Sequence, residues 1–127
     1  MPHLVILYTP NLEADIGMGA LCRKLADTML AQRDEADAAV FPIGGTRVLA
    51  YPAAHHAIAD GGAAGVVANG DGDYGFVYLN LRMGAGRSSA VHKAVGDALL
   101  ATVKEHVAPT FARRRLGITL QVDESDR

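Results

Sequence analysis

Hydrophobic residues follow two different periods in the first part of the chain. Residues 3–9 (HLVILYT) form an apolar run rich in β-forming side chains, and Pro10-Asn11 ends it. This run predicts a buried strand. From residue 15 to residue 32 the apolar positions recur with helical spacing, on a stripe made of Ile16, Leu21, Leu25 and Met29. The pattern therefore predicts a strand followed by an amphipathic helix.

The last part of the chain repeats this order. Residues 74–83 (YGFVYLNLRM) predict a strong strand, and residues 117–122 (GITLQV) alternate as a final strand before a polar tail at 123–127. Between them the serine pair 88–89 can cap a helix. The stripe of that helix consists of Val91, Val95, Leu99, Val103 and Val107. Pro109 lies late in this helix and is expected to kink or interrupt it.

The middle of the chain is less regular. Residues 40–43 and 46–51 are short β-like pieces separated by the turn Gly44-Gly45. Residues 52–73 are rich in Gly and Ala and contain turn dipeptides, with a further strand suggested at 64–68. The outline is β-α-β, a loose middle, and β-α-β again.

These elements predict one α+β domain spanning residues 1–127. Two β-α-β units can place both helices on one face of a single four-stranded sheet, which makes a two-layer sandwich. The other face of the sheet then needs a cover. Because a chain of 127 residues leaves much apolar surface exposed, we expect subunit packing to supply that cover.

Composition and charge exclude several classes of protein. Half of the residues are hydrophobic and 20% are charged, which is an ordinary globular balance. The net charge of -2 argues against nucleic-acid and anionic-membrane partners.

Cys22 is the single cysteine, so no disulfide framework exists, and we expect it in the core or an interface rather than as a nucleophile. The apolar run near the N-terminus is too short for a signal peptide or membrane span, so we expect a cytoplasmic protein.

Pro2 is the first residue with possible chemistry. Its small side chain allows removal of Met1, which leaves a secondary amine at the chain end. An ordinary α-amino group titrates at about 7.7–8.0, and burial or nearby cations lower that value. Such an amine can take up and return a proton near neutral pH. The plain alternative is that Met-Pro is simply a common start of a chain.

Two arginines offer binding groups for an anion. The loop Gly84-Ala85-Gly86-Arg87 joins a predicted strand to a predicted helix, where backbone N–H groups and a guanidinium fork can bind a carboxylate. Arg47 follows the turn at residues 41–46 and begins a predicted strand. The alternatives are a plain strand-to-helix turn and a surface arginine. The loop lacks the patterns of the phosphate-binding and dinucleotide-binding motifs.

No set of residues has the spacing of a metal site. The residues considered are His55, His56, His92, His106, Asp71 and Asp73. Adjacent residues on a strand point to opposite faces, and histidines about four helical turns apart are too distant to share an ion. Two aspartates in a turn lack the remaining ligands of a calcium loop. We therefore predict no bound metal.

Several of these features occur together in one known family. The chain resembles 5-carboxymethyl-2-hydroxymuconate isomerase, of the tautomerase superfamily. The matching segments are Met1-Pro2-His3, Phe41-Pro42-Ile43 with Gly45-Thr46-Arg47, more weakly Ala59-Asp60-Gly61, and Asp73-Tyr74 through Phe76-Val77 to Gly84-Ala85-Gly86-Arg87-Ser88. The resemblance covers most of the chain. Residues 61–72 look longer than the corresponding link in the family.

The resemblance implies a tautomerase-like β-α-β-β-α-β fold, a homotrimer with sites at subunit interfaces, and no cofactor. It implies isomerisation of 5-carboxymethyl-2-hydroxymuconate, or a similar unsaturated dicarboxylate, in the breakdown of the aromatic acid homoprotocatechuate. Pro2 matches the catalytic proline, and Arg47 and Arg87 match two assisting arginines. Two alternatives remain open: another tautomerase-superfamily activity on a different unsaturated acid, or a non-catalytic oligomeric binding module with the same fold.

Overall fold

The computed structural model describes residues 2–64 and 74–125. Its regular elements in chain order are β1 (His3–Tyr8), α1 (Glu13–Ile16), α2 (Met18–Leu30), β2 (Arg47–Pro52), β3 (Gly75–Gly84), α3 (Ser89–Phe111) and β4 (Leu116–Ser125). Short 3-10 turns, Pro10–Leu12 and Ile43–Gly45, precede α1 and β2. The strand suggested at 64–68 lies outside the described residues except for Ala64.

The four strands form one mixed sheet in the order β2-β1-β3-β4. β1 is parallel to β2 and antiparallel to β3, and β3 is parallel to β4. Each parallel pair needs a crossover, which α2 and α3 supply. The two helices lie side by side, with the hydroxyls of Thr28 and Thr102 at 2.8 Å. This arrangement confirms the predicted α+β sandwich, with its two long helices on one face of a four-stranded mixed sheet.

The core lies between this sheet and the helices. Leu4 and Ile6 of β1, with Leu79 and Leu81 of β3, are fully buried because every second strand residue faces the helices. Both predicted helical stripes face them and are buried: Ile16, Leu21, Leu25 and Met29, and Val91, Val95, Leu99, Val103 and Val107. Burying these side chains is the main stabilising contribution to the fold.

The predicted strand at residues 40–43 is wrong. Val40 and Phe41 are buried, but they reach the core from a loop. The backbone of this loop bonds to itself, with the Val40 N–H donating to the Gln32 carbonyl at 3.1 Å. The Asp34 carboxylate accepts two further backbone N–H bonds at 2.9 Å. Residues 40–43 therefore form no strand, and Val40 and Phe41 fill part of the core from a loop.

The single helix predicted at residues 15–32 is two helices. Gly17 adopts a left-handed conformation with φ +67°, which most residues avoid, and it separates α1 from α2. The stripe continues across this break, since Ile16 and Leu21 are both buried.

Pro109 does not interrupt α3, which continues to Phe111. The proline lies in the last turns, where losing one N–H costs a single helical bond, and the Ala112 N–H still donates to the Ala108 carbonyl at 3.1 Å. The predicted polar tail is also shorter than expected. β4 continues to Ser125 because its last residues pair with β3 up to Gly84. Among the described helices, none combines the length and apolar character that crossing a membrane requires.

Candidate active site

Pro2 lies at one end of the sheet, directly before β1, and it is buried. The next residue, His3, pairs with Arg47 of β2 on one side and with Arg82 of β3 on the other. Since residues directly opposite in paired strands share a face, the three side chains leave the sheet on the same side. The structure therefore places Pro2 next to a row that runs Arg47, His3, Arg82. We call this end of the sheet the proline end.

Arg47 begins β2 immediately after the 3-10 turn at Ile43–Gly45. The Thr46 hydroxyl donates to the Pro42 carbonyl at 2.7 Å, which fixes the entry into the strand. Arg47 is exposed, and within the described residues its guanidinium makes one long hydrogen bond, from Nη1 to the Gly45 carbonyl at 3.4 Å. A hydrogen bond of this length is weak. The guanidinium is therefore available for an anion.

Arg87 follows the last residues of β3 at the proline end and, unlike Arg47, is held by partners within the protein. Gly86 has φ +105°, which turns the chain from β3 toward α3. The Nη1 of Arg87 lies 3.2 Å from Oδ2 of Asp34, and its Nη2 donates to the Val40 carbonyl at 3.0 Å. The Arg87 side chain is 33% exposed. This arginine thus ties down the loop that carries Val40, which the sequence analysis did not foresee.

Asp34 organises that loop. Backbone N–H groups of Ala38 and Ala36, with Arg87 close by, hold the pKa of the Asp34 carboxyl below its usual value. The neighbouring Glu35 accepts a hydrogen bond from the Ser88 hydroxyl at 2.6 Å, which lowers its pKa as well. Ser88 also caps α3, since its oxygen accepts the Val91 N–H at 3.2 Å, as predicted for the serine pair. The start of α3 and the loop are therefore joined by charged contacts.

Arg82 was missed by the sequence analysis. Its Nε donates to Oδ1 of Asn80 at 2.8 Å, and the Nδ2 of Asn80 donates to Oδ2 of Asp123 at 2.9 Å. Asn80 is 4% exposed, so this amide is a fixed link. Its hydrogen bond, aided by Gln121 and by the Arg82 charge, lowers the pKa of Asp123. The alternation within residues 74–83 could have placed Arg82 opposite the core face, but only the register places it beside His3.

Within residues 2–64 and 74–125, no helix covers the face of the sheet that carries this row. Leu7, Leu49 and Tyr51 lie farther along the same face and are 44%, 42% and 49% exposed. The register joins them into neighbouring positions of β1 and β2. Large apolar side chains grouped in this way are typical of a surface that packs against another chain.

The residues considered for metal binding are scattered. Within residues 2–64 and 74–125, no three His, Cys, Asp or Glu side chains come close enough to hold an ion. Nε2 of His106 lies 2.6 Å from the Ile16 carbonyl and its Nδ1 lies 3.0 Å from the Lys24 amine, so this histidine links α3 to both α1 and α2. Asp71 and Asp73 lie outside the described residues. Cys22 packs partly buried against the core, and burial raises the pKa of its thiol, which disfavours the reactive thiolate.

Comparisons with known proteins agree on one family. A family model described as 5-carboxymethyl-2-hydroxymuconate isomerase matches residues 2–127. The Escherichia coli protein 5-carboxymethyl-2-hydroxymuconate Delta-isomerase is 26% identical over 124 residues, which are 98% of this chain and 86% of that protein. A crystal structure of a 5-carboxymethyl-2-hydroxymuconate delta-isomerase is 57% identical with a TM-score of 0.96, and it covers 100% of this chain and 84% of the other.

More distant structures agree with the fold. A 5-carboxymethyl-2-hydroxymuconate isomerase from Deinococcus radiodurans R1 is 37% identical, with a TM-score of 0.78 over 98% of this chain and 83% of its own. A member of the cis-3-chloroacrylic acid dehalogenase family, 12% identical, has a TM-score of 0.60 over 97% of this chain and 74% of its own, which shows a shared fold alone. The chain is therefore an enzyme of the isomerase class, and it belongs to the 5-carboxymethyl-2-hydroxymuconate isomerase family.

Proposed function

We propose that this protein converts 5-carboxymethyl-2-hydroxymuconate to its 2-oxo isomer, with the amine of Pro2 as the acid and base. The observation that carries the proposal is the position of Pro2, buried at the start of β1 and one residue from the row Arg47, His3, Arg82. The matched family supports the substrate, and Arg47 in this row supplies a cation for one of its carboxylates. The reaction belongs to the catabolism of an aromatic acid, and we propose that it takes place in the cytoplasm.

The proton moves along the conjugated chain of the substrate. It leaves the 2-hydroxyl group, the C2–O bond becomes a carbonyl, and the electron pair of C2=C3 forms a new double bond between C3 and C4. The pair of C4=C5 then takes up the proton at C5. The product is a conjugated 2-oxo acid with the same atoms as the substrate, so the step needs a proton carrier but no oxidant or cofactor.

Pro2 fits the part of that carrier once Met1 has been removed. Burial disfavours the charged form of an amine, so a neutral base exists near neutral pH. The same amine, once protonated, delivers the proton to C5. A positioned acid-base group contributes roughly 10²- to 10⁴-fold in rate, and the pyrrolidine ring fixes the direction of the nitrogen.

Arg47 and Arg87 bind carboxylates and stabilise the negative charge that develops on the 2-oxygen. Arg47 has the more available guanidinium, with one long contact in the part of the chain that the structure describes. Arg87 uses Nη1 and Nη2 to hold the loop, but a guanidinium has five N–H donors. Its remaining donors serve the substrate, while the contact to Asp34 keeps the group in place.

We further propose that three copies of the chain assemble with their open sheet faces inward. The exposed Leu7, Leu49 and Tyr51 support this arrangement because association removes them from water. A neighbouring chain would also close the proline end and exclude water from the reaction. Light scattering of the purified protein tests this proposal, since it separates a trimer from a monomer or a dimer directly.

The sharpest test of the function compares two proline variants. Intact mass first establishes that Met1 is absent, and ultraviolet absorbance then follows the loss of 5-carboxymethyl-2-hydroxymuconate. We expect Pro2→Ala to lower kcat by about 10²-fold or more. Pro52→Ala, at the other end of the sheet on an exposed position, is the matched control and should leave kcat unchanged. Unchanged turnover in Pro2→Ala would refute the role of the ring amine.

Substrate specificity is measured with the same proteins. Phenylenolpyruvate, 2-hydroxymuconate and a haloacrylate represent the other unsaturated acids of the superfamily. Preference for one of these over 5-carboxymethyl-2-hydroxymuconate would retain the proline mechanism and reject the proposed substrate. Absence of turnover on all four, with Met1 retained, would instead favour a non-catalytic binding module.

A further inference from the structure

The proposed substrate carries one anionic group more than the sequence analysis counted. Its name specifies two carboxylates on the muconate backbone and a third on the carboxymethyl branch. The family resemblance implied a dicarboxylate substrate with two assisting arginines, Arg47 and Arg87. Arg87 already neutralises Asp34 and bonds to Val40, so the two expected arginines do not match three carboxylates and a developing oxyanion.

Arg82 is the cation at the proline end that has no role in the proposed mechanism. Its backbone pairs with His3, which follows Pro2 directly. Arg47 lies on the opposite side of His3 in the same row. With strands about 4.8 Å apart, the backbones of Arg47 and Arg82 are separated by about 10 Å across β1. Two guanidiniums on one face therefore flank the residue next to the proton carrier.

The hydrogen bonds of Arg82 leave its binding fork open. Nε is engaged by Oδ1 of Asn80 at 2.8 Å. In residues 2–64 and 74–125 the structure records no hydrogen bond to the two terminal amino groups of this guanidinium. A carboxylate can bind those two groups side by side in bidentate fashion. Arg82 is exposed, whereas the residue that orients it is buried.

The orientation of Arg82 is fixed on the same sheet face by hydrogen bonds that run through Asn80 to Asp123, which is paired with Arg82 across β3 and β4. Asn80 accepts from Arg82 and donates to Asp123 at 2.9 Å. Asp123 in turn accepts from the amide of Gln121 at 3.1 Å. Because the amide of Asn80 is buried and its two ends have different partners, it holds Nε in one direction. An arginine restrained in this way loses less side-chain freedom when it binds a ligand.

We infer that Arg82 binds the carboxylate of the carboxymethyl branch and thereby sets the preference for a tricarboxylate over a dicarboxylate. The inference rests on the proposed function. The branch is attached to C5, the carbon that receives the proton from Pro2. An arginine paired with the residue next to Pro2 is therefore within reach of a group on that carbon, while Arg47 and Arg87 serve the two ends of the backbone.

The test compares ligands that differ by the branch alone. For turnover the pair is 5-carboxymethyl-2-hydroxymuconate and 2-hydroxymuconate. For binding without turnover the pair is pentane-1,2,5-tricarboxylate and hexanedioate, measured by calorimetry. We expect Arg82→Gln to raise KM or Kd for each tricarboxylate about 10- to 100-fold. The change for each dicarboxylate should stay below about 3-fold, because those ligands lack the group that Arg82 binds.

Two further variants separate a ligand contact from a structural one. Arg82→Lys keeps the charge but loses the fork, so it should recover part of the tricarboxylate preference. Arg113→Gln removes an exposed arginine at the far end of the sheet, whose Nε bonds only to the Pro109 carbonyl at 3.2 Å among the described residues, and should change neither ligand. Light scattering of each variant records whether the assembly is intact.

The outcomes distinguish this inference from the proposed function. Equal weakening of both ligands in Arg82→Gln, with or without loss of assembly, overturns the inference and leaves the function standing. A wild-type protein that binds the tricarboxylate no more tightly than the dicarboxylate overturns it as well. Selective loss of tricarboxylate binding in a protein that turns over neither substrate would keep Arg82 as a carboxylate-binding residue and reject the proposed reaction.

Discussion

The two ends of the sheet use polar side chains in opposite ways. At the proline end, Arg47 is exposed and makes one long contact in the part of the chain that the structure describes. At the other end, which we call the Tyr8 end, polar groups bond to one another. The Tyr8 hydroxyl donates to Glu13 at 2.5 Å, and the Asn11 amide donates to the Tyr74 carbonyl at 2.7 Å. Arg47 thus keeps its guanidinium available for a ligand at the proline end, while these polar groups at the Tyr8 end stabilise the fold.

The charged groups show the same contrast. Arg114, at the Tyr8 end, donates to the Asn11 carbonyl at 3.1 Å and lies 3.4 Å from the Asp15 carboxylate. Its side chain is 18% exposed. Arg87 is intermediate, because it belongs to the proline end but holds a loop as Arg114 does. A position at the proline end therefore does not by itself make an arginine available to a ligand. Availability depends on whether the guanidinium already has partners within the protein.

Exchanging arginine for glutamine should lower activity at the proline end and thermal stability at the Tyr8 end. Arg47→Gln removes the proposed substrate contact and should lower kcat/KM about 10- to 100-fold with little change in Tm, since a charge-assisted bond contributes about 1.5–3 kcal/mol. Arg114→Gln removes internal hydrogen bonds and should lower Tm while kcat/KM changes less than about 2-fold. Ultraviolet turnover assays and thermal unfolding of both variants measure this. A drop in Tm for Arg47→Gln larger than that for Arg114→Gln would contradict the contrast.

The first and last residues of β3 provide a second comparison. A methyl group on Gly75, at the Tyr8 end, would lie 2.5 Å from Cδ2 of Leu12 and close to its Cγ and Cδ1. Leu12 is fully buried, so its side chain would have to shift within the packed core. A methyl group on Gly84, at the proline end, would meet nothing within 4 Å of the described chain.

Gly75→Ala should therefore lower the free energy of unfolding by about 1–3 kcal/mol through overpacking. Gly84→Ala is the control and should change it by less than about 0.5 kcal/mol. Urea unfolding of both proteins gives the two values on one scale. Equal destabilisation would mean that the proline end is packed as tightly as the Tyr8 end.

Periodicity predicted most of the fold because burial follows it. The stripes ending at Met29 and Val107 are buried along their full length, since one face of each helix must meet the sheet. The predictions were wrong where an apolar pattern belongs to a different element of structure. Val40 and Phe41 look like strand residues, yet they fill the core from a loop. Gly17 breaks a helix without breaking its stripe.

The candidate site was predictable only where a local motif carried it. Pro2 and Arg47 stand in short recognisable segments, and the register places Arg47 opposite His3, the residue after Pro2. The partners of Arg87 lie 53 and 47 residues away in sequence, so no local pattern reveals that this arginine is already engaged. Arg82 is a single charge in an apolar strand. Its significance depends on strand pairing, which the sequence pattern did not determine.

The Tyr8 end also predicts how stability depends on alkaline pH. Burial, and then the hydrogen bond and negative charge of Glu13, raises the pKa of Tyr8 from 10.0 to about 12. The unfolded chain therefore loses this proton at a lower pH than the folded chain does. The stabilisation from the protonated hydroxyl is complete below pH 10 and is lost as the pH rises from 10 toward 12.

Tyr8→Phe tests this link because it keeps the ring and removes the hydroxyl. It should lower the free energy of unfolding at neutral pH by about 1 kcal/mol, the size of one hydrogen bond. Between pH 10 and 12 its stability should fall less steeply than that of the wild type, as measured by urea unfolding at each pH. Tyr51→Phe, on the open sheet face, is the control and should retain the wild-type slope, because it leaves the contact between Tyr8 and Glu13 in place. If Tyr8→Phe also kept the wild-type slope, the Tyr8 hydroxyl would not be the group that makes the free energy of unfolding depend on pH between 10 and 12.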